Sequence, residues 1–107
     1  RLKNAGANFV HISSGGVSAQ QKIAIGPEYQ VPFAKLVKDR SGLPTMAVGL
    51  ITEAQQAEEI LQTTDVEIIM IGRLSLRDPY WPLRAAHELG VEVDYWPNQY
   101  IRGTYPA

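Results

Sequence analysis

The 107-residue sequence contains no cysteine. That excludes a disulfide framework, a thiolate metal site and a cysteine nucleophile within the chain. Excess charge of one sign is also missing: 10 Lys+Arg stand against 11 Asp+Glu. A balance so even gives no support to a nucleic-acid or polybasic membrane partner. No apolar run approaches the roughly 18 residues of a membrane span. Arg1 to Gly6 carries no apolar segment of the kind a signal peptide needs. With no thiol to protect and no export signal, a cytoplasmic location is the expectation. Histidine is scarce too. His11 and His87 lie far apart in sequence with no clustered carboxylates, so no metal site is expected.

What remains is an ordinary globular composition with a clear order. Three short apolar runs, Phe9-Val10-His11-Ile12, Thr45-Met46-Ala47-Val48 and Ile68-Ile69-Met70-Ile71, do not alternate with polar residues. Such runs read as strands covered on both faces, the pattern of a parallel sheet. Between them lie helical patterns. Val31 to Arg40 spaces Phe33, Leu36 and Val37 as one buried stripe, stopped by Gly42 and Pro44. In Thr52 to Thr63, Thr52 and Gln55 have the spacing of a capping box, and Ala54, Ala57, Ile60 and Leu61 form an apolar face. Asp78-Pro79 reads as the cap and first residue of a third helix, with Leu83, Ala86 and Leu89 inward and Gly90 closing it. Residues 15–30 form a long loop, a length usually functional or disordered. Val91 to Ala107, with its aromatics and prolines, reads as a packed tail. Strands alternating with helices predict parallel βα units with right-handed crossovers. No repeat or linker divides residues 1–107, which read as one unit.

In parallel α/β folds, chemistry gathers at the carboxyl ends of the strands. Here the first run ends in Ser13-Ser14-Gly15-Gly16, the second in Gly49 and the third in Gly72-Arg73. Glycine admits close approach to the main chain, and Arg73 adds a fixed cation with several donors. Each feature alone is an ordinary turn or surface arginine; together they point to a phosphate-containing ligand. Neither a dinucleotide fingerprint nor a P-loop is present. His11, inside the first run, reads as a hydrogen-bonded core histidine, His87 as a solvated one, and Glu58-Glu59 as a wet helix face. Ser13-Ser14 has no nucleophile elbow.

Several longer segments carry a family likeness. They include Val10 to Gly15, Pro27 to Ala34, Ala47 to Thr52, Ala57 to Leu61, Ile71-Gly72-Arg73, Leu76-Arg77-Asp78-Pro79-Tyr80-Trp81-Pro82 and Gln99 to Gly103. In this order they resemble the C-terminal part of the old yellow enzyme family, nearest its bacterial NADPH-dependent flavin ene-reductases. The resemblance implies an α/β architecture: the C-terminal part of a TIM (β/α)8 barrel, with three parallel βα units as barrel strands 6, 7 and 8 plus a tail. It implies FMN as cofactor, NADPH or NADH as reductant, and an activated alkene as small-molecule substrate reduced by hydride from the flavin. Gly49, Gly72 and Arg73 match phosphate and flavin-edge contacts. Ser14 and Gly15 lie at the matching strand end, with less direct contact. Arg102 matches an arginine that reaches into the neighbouring subunit's active site, so a homo-oligomer is expected. A full barrel needs eight strands and roughly 250 residues. The substrate-holding pair, the proton-donating tyrosine and the pyrimidine-edge residues belong to the portion absent here. None of Tyr29, Tyr80, Tyr95, Tyr100 or Tyr105 occupies the proton-donor position. The isolated chain is therefore expected to lack turnover. The contrasting possibility is a non-catalytic phosphate-ligand or self-associating half-barrel module, whose sheet would expose apolar surface.

Overall fold

The structure, a computed structural model, describes residues 1–94 and 96–106. Three strands, β1 (Val10–Ile12), β2 (Thr45–Ala47) and β3 (Ile68–Ile69), form one sheet in the order β1-β2-β3. Both pairings are parallel, with Val10 opposite Thr45 and Met46 opposite Ile68. The helix α1 (Val31–Ser41) connects β1 to β2, and α2 (Ala54–Thr64) connects β2 to β3. A short α3 (Arg73–Arg77), then α4 (Trp81–Glu88) and a 3-10 turn (Asn98–Gly103) complete the chain.

The sheet is covered on one face. Thr45 and Ala47 are fully buried on that side, and Ile12 and Ile69 lie beside Ala47 in register. Against them pack Val31 and Ala34 of α1, Ala54, Ala57 and Ile60 of α2, and Trp81 and Ala85 of α4. Crossovers of one hand between consecutive strands put both connecting helices on one side. The row His11, Met46 and Ile68 faces the other way. His11 is exposed there, so it is not the buried core histidine that its apolar neighbours suggest. The strands are covered on one face rather than two because, among the described residues, no further element overlies that row. Among the described residues, no helix is long and apolar enough to cross a membrane.

Helix boundaries differ from the sequence reading for local reasons. The buried side of α1 is Val31 and Ala34, while Phe33 and Leu36 are about half exposed (49% and 47%). The close approach of α1 to β2 selects the small Ala34 for the interface and turns the larger side chains outward. Gly42 ends α1 in the left-handed region, φ 65°, donating its N–H to Lys38 O. The capping box of α2 lies one residue later than the Thr52 and Gln55 pair. Glu53 is the N-cap and Gln56 reaches back to the N–H groups of Thr52 and Glu53. The Thr52 carbonyl accepts the indole N–H of Trp81 at 3.0 Å instead, joining α4 to the end of β2.

The third helix is divided. Asp78 ends α3, donating its N–H to Leu74 O, and its carboxylate binds Arg84. With Asp78 as cap, Pro82 would fall at the fourth helical position, where an N–H is needed for the first intrahelical bond. Starting at Trp81 moves Pro82 into the first turn, where no N–H is required. Leu83 and Ala85 are buried, while Ala86 and Leu89 are half-buried. The tail is not irregular throughout: it contains the 3-10 turn, and Tyr105 stacks on His87 of α4 with ring centroids 4.5 Å apart. His87 is thus exposed but not simply solvated.

Glu67 connects helix and sheet. Its carboxylate accepts the Thr45 N–H at 2.7 Å and pairs with Lys38 of α1. The Lys38 hydrogen bond, then that from Thr45, holds the carboxyl below its usual 4.5. A folded pKa below the unfolded one stabilises the fold above the unfolded value, and the gain disappears as pH falls through the folded value. Wild type should therefore exceed Glu67→Gln in denaturant midpoint at pH 7. The difference should shrink as pH falls below 4.5, read by urea titrations at several pH values. A pH-independent difference would contradict the charge contribution.

Candidate functional site

Parallel pairing brings the three strand ends to one edge, and a cleft of about 260 Å³ opens there. Gly49, Gly72 and Arg73, three of the residues singled out by sequence, line it together. Ser13 lines it from the end of β1, in place of Ser14 and Gly15. Ser14 lies beside the cleft with its N–H donated to the side-chain carbonyl of Gln30. Gly15 adopts φ 77° inside the loop, where a Cβ would collide with the Ile23 side chain. Those two residues shape the loop behind the wall.

Gly49 carries the sharpest backbone requirement. Its φ is 123°, outside the range of ordinary L-residues, and Leu50 follows at φ 52°. A Cβ on Gly49 would lie 3.2 Å from both the backbone nitrogen of Gln30 and the ring of Tyr29. The long loop thus has ordered content where it meets the sheet. Glu28 donates its N–H to Gly49 O at 2.9 Å, which brings Tyr29 and Gln30 against the end of β2. Both residues line the cleft. Left-handed non-glycine residues are costly and cluster at functional sites.

Electrostatically the cleft is cationic. Arg73 and Arg77 both line it, four residues apart on α3 and hence on one helix face. Neither meets a carboxylate among the described residues. The nearby Asp78 carboxylate is occupied by Arg84, which also pairs with Glu88. The amino end of α2, adjacent at Thr52, is already capped by Glu53 and Gln56. Two guanidiniums, each a planar fork of donors, suit a doubly charged oxyanion such as a phosphate monoester. The volume lies below the roughly 300–1,000 Å³ of complete ligand pockets. A cleft of that size holds a small oxyanion group rather than a whole drug-sized ligand.

Tyr29, Gln30 and Arg77 escaped the sequence reading. Arg77 was legible in principle, since Gly72-Arg73 followed by Arg77 has helical spacing. Assigning the helix start to Asp78 hid it. Tyr29 and Gln30 depend on a loop folding back across the sheet, which no local pattern encodes. Arg102, on the 3-10 turn, is exposed and does not line the cleft. Of the other tyrosines, Tyr80, Tyr100 and Tyr105 border a separate hollow between α4 and the tail, and Tyr95 lies outside the described residues. No group of three potential metal ligands occurs among the described residues.

The family model for NADH:flavin oxidoreductase / NADH oxidase matches residues 4–92. An NADPH dehydrogenase of Geobacillus thermodenitrificans is 48% identical over 103 residues, covering 96% of this chain and 30% of the relative. One from Bacillus pumilus is 48% identical over 101 residues, covering 94% of this chain and 29% of the relative. The chain thus spans about 30% of the length of the curated relatives it matches.

The geometry at Gly49 makes a direct prediction. Gly49→Ala should destabilise the protein by about 1–3 kcal/mol, the cost of a strained φ added to the close approach to Tyr29 and Gln30. Chemical denaturation measures it, and a change within about 0.5 kcal/mol, the range of an ordinary surface substitution, would contradict the close packing.

Proposed function

From its membership of the NADH:flavin oxidoreductase / NADH oxidase family, to which the chain belongs, we propose that this chain is the carboxyl-terminal part of an FMN-dependent ene-reductase. In this reading β1, β2 and β3 are strands 6, 7 and 8 of a TIM barrel. The open face bearing His11, Met46 and Ile68 supports it, because such a row is covered only when further strands close the barrel. FMN and NAD(P)H are the cofactors that the family and its NADPH dehydrogenase members bring.

The observation that carries the reading is the meeting of Gly49, Gly72, Arg73 and Arg77 in one cleft without an opposing carboxylate among the described residues. Arg73 and Arg77 neutralise the cofactor's phosphate. Gly49 leaves the main chain bare where a side chain would already crowd Tyr29. Ser14 and Gly15 support the same end through the loop at the end of β1. When bound, FMN supplies hydride transfer from NAD(P)H to an alkene activated by a carbonyl or nitro group. This chain contributes the phosphate end of the site. The residues that hold the substrate carbonyl and donate the proton belong to the remainder of the barrel.

FMN added to the full-length encoded protein should give a yellow complex bleached by NADPH, with FMN bound more tightly than riboflavin. Arg73→Ala should weaken FMN by about 10- to 100-fold, the worth of a hydrogen bond to a charged group. A colourless protein without flavin affinity would overturn the reading.

Arg102 has a separate role in this reading. It extends from the tail into the active site of a neighbouring copy, and the protein is a homo-oligomer. Arg102→Ala should raise KM for the alkene or for NADPH severalfold and leave FMN affinity unchanged. Steady-state kinetics beside a flavin titration tests this, and unchanged KM values would reduce Arg102 to a surface residue.

A further inference from the structure

Building on the cleft as a phosphate site, we propose that Tyr29 is a further anion-binding residue: its phenol O–H donates to a phosphate oxygen, and Gln30 is the positioning residue that aims it. Gln30 is only 4% exposed, and both ends of its side chain are used. A backbone N–H can only donate, so the amide carbonyl must be the end facing the Ser14 N–H. The amide NH2 is thereby directed to the Tyr29 hydroxyl, at 2.7 Å. An NH2 group can only donate, so the phenol oxygen accepts. The phenol's own hydrogen is left uncommitted among the described hydrogen bonds.

The same residue is fixed in place from the backbone side. The Glu28 N–H binds Gly49 O and the Tyr29 N–H binds Gly26 O. The ring lies against Gly49, where only glycine leaves room for it. Tyr29 lines the arginine-bearing cleft, and the bond from Gln30 holds the phenol oxygen in place before any ligand arrives. Two guanidiniums supply charge, and a neutral donor held in place adds direction at a lower desolvation cost than a further charge. The bland reading is a hydroxyl that merely satisfies Gln30. It predicts a loss of stability on removal, with equal effects on phosphorylated and unphosphorylated ligands.

The test is the affinity ratio of FMN to riboflavin in the full-length encoded protein, with inorganic phosphate as competitor. Tyr29→Phe keeps the ring against Gly49 and removes only the hydroxyl. It should weaken FMN by about tenfold, as expected for one hydrogen bond to a charged group, weaken phosphate competition in parallel, and leave riboflavin unchanged. Gln30→Met should lower the ratio similarly while the tyrosine remains. The double variant should lower it no further, since both act through one hydrogen. A Tyr29→Phe protein with the wild-type ratio would overturn the proposal. Wild type without preference for FMN over riboflavin would instead overturn the phosphate site on which it rests.

Discussion

The sheet and the helices packed on it are arranged around β2. It is the strand with a neighbour on each side, and its helix-facing residues, Thr45 and Ala47, are completely buried. Both are small. A small residue at the centre of a sheet lets helices approach closely, and Ala34, Ala54 and Ala57 reciprocate from α1 and α2. Packing at that density tolerates little change in volume. Glu67 reinforces the arrangement by binding the Thr45 main chain and Lys38 of α1 together. Trp81 does the same at the other end, joining α4 to Thr52.

The cleft is a consequence of that centre. Parallel pairing is what puts the ends of all three strands on one side. The end of β2 then does two things at once. Gly49 bends away in a conformation that few residues adopt, and its carbonyl binds the returning loop at Glu28. The wall bearing Tyr29 and Gln30 thus rests on the end of β2, opposite Gly72 and Arg73 at the end of β3. The positive charge of the cleft persists because the competing carboxylates are engaged elsewhere, Asp78 and Glu88 with Arg84 and Glu53 at the cap of α2. The tail is a separate arrangement, held to α4 by the stacking of Tyr105 on His87. Arg102 stays exposed, apart from the cleft.

Residue order and spacing alone determined that three apolar runs become parallel strands, that helices lie between them, and that Gly49, Gly72 and Arg73 share an edge. These follow from local rules: continuous apolar runs, helical periodicity, glycine at strand ends and the fixed hand of crossovers. The family likeness was legible in the same segments. Tertiary structure alone decided which apolar residues became core. Phe33 and Leu36 have helical spacing as good as that of Val31 and Ala34, yet only the latter pair meets the sheet. His11 has apolar neighbours in sequence, but an alternating strand places it on the uncovered face. The division of the third helix turned on whether Pro82 must supply an N–H, and that is settled by where Trp81 docks. Tyr29 and Gln30 entered the site because the Glu28 N–H binds Gly49 O and the Ser14 N–H binds the Gln30 side chain, partners distant in sequence. Periodicity records which side chains share a face, whereas burial and hydrogen-bond partners depend on what the rest of the chain brings against that face.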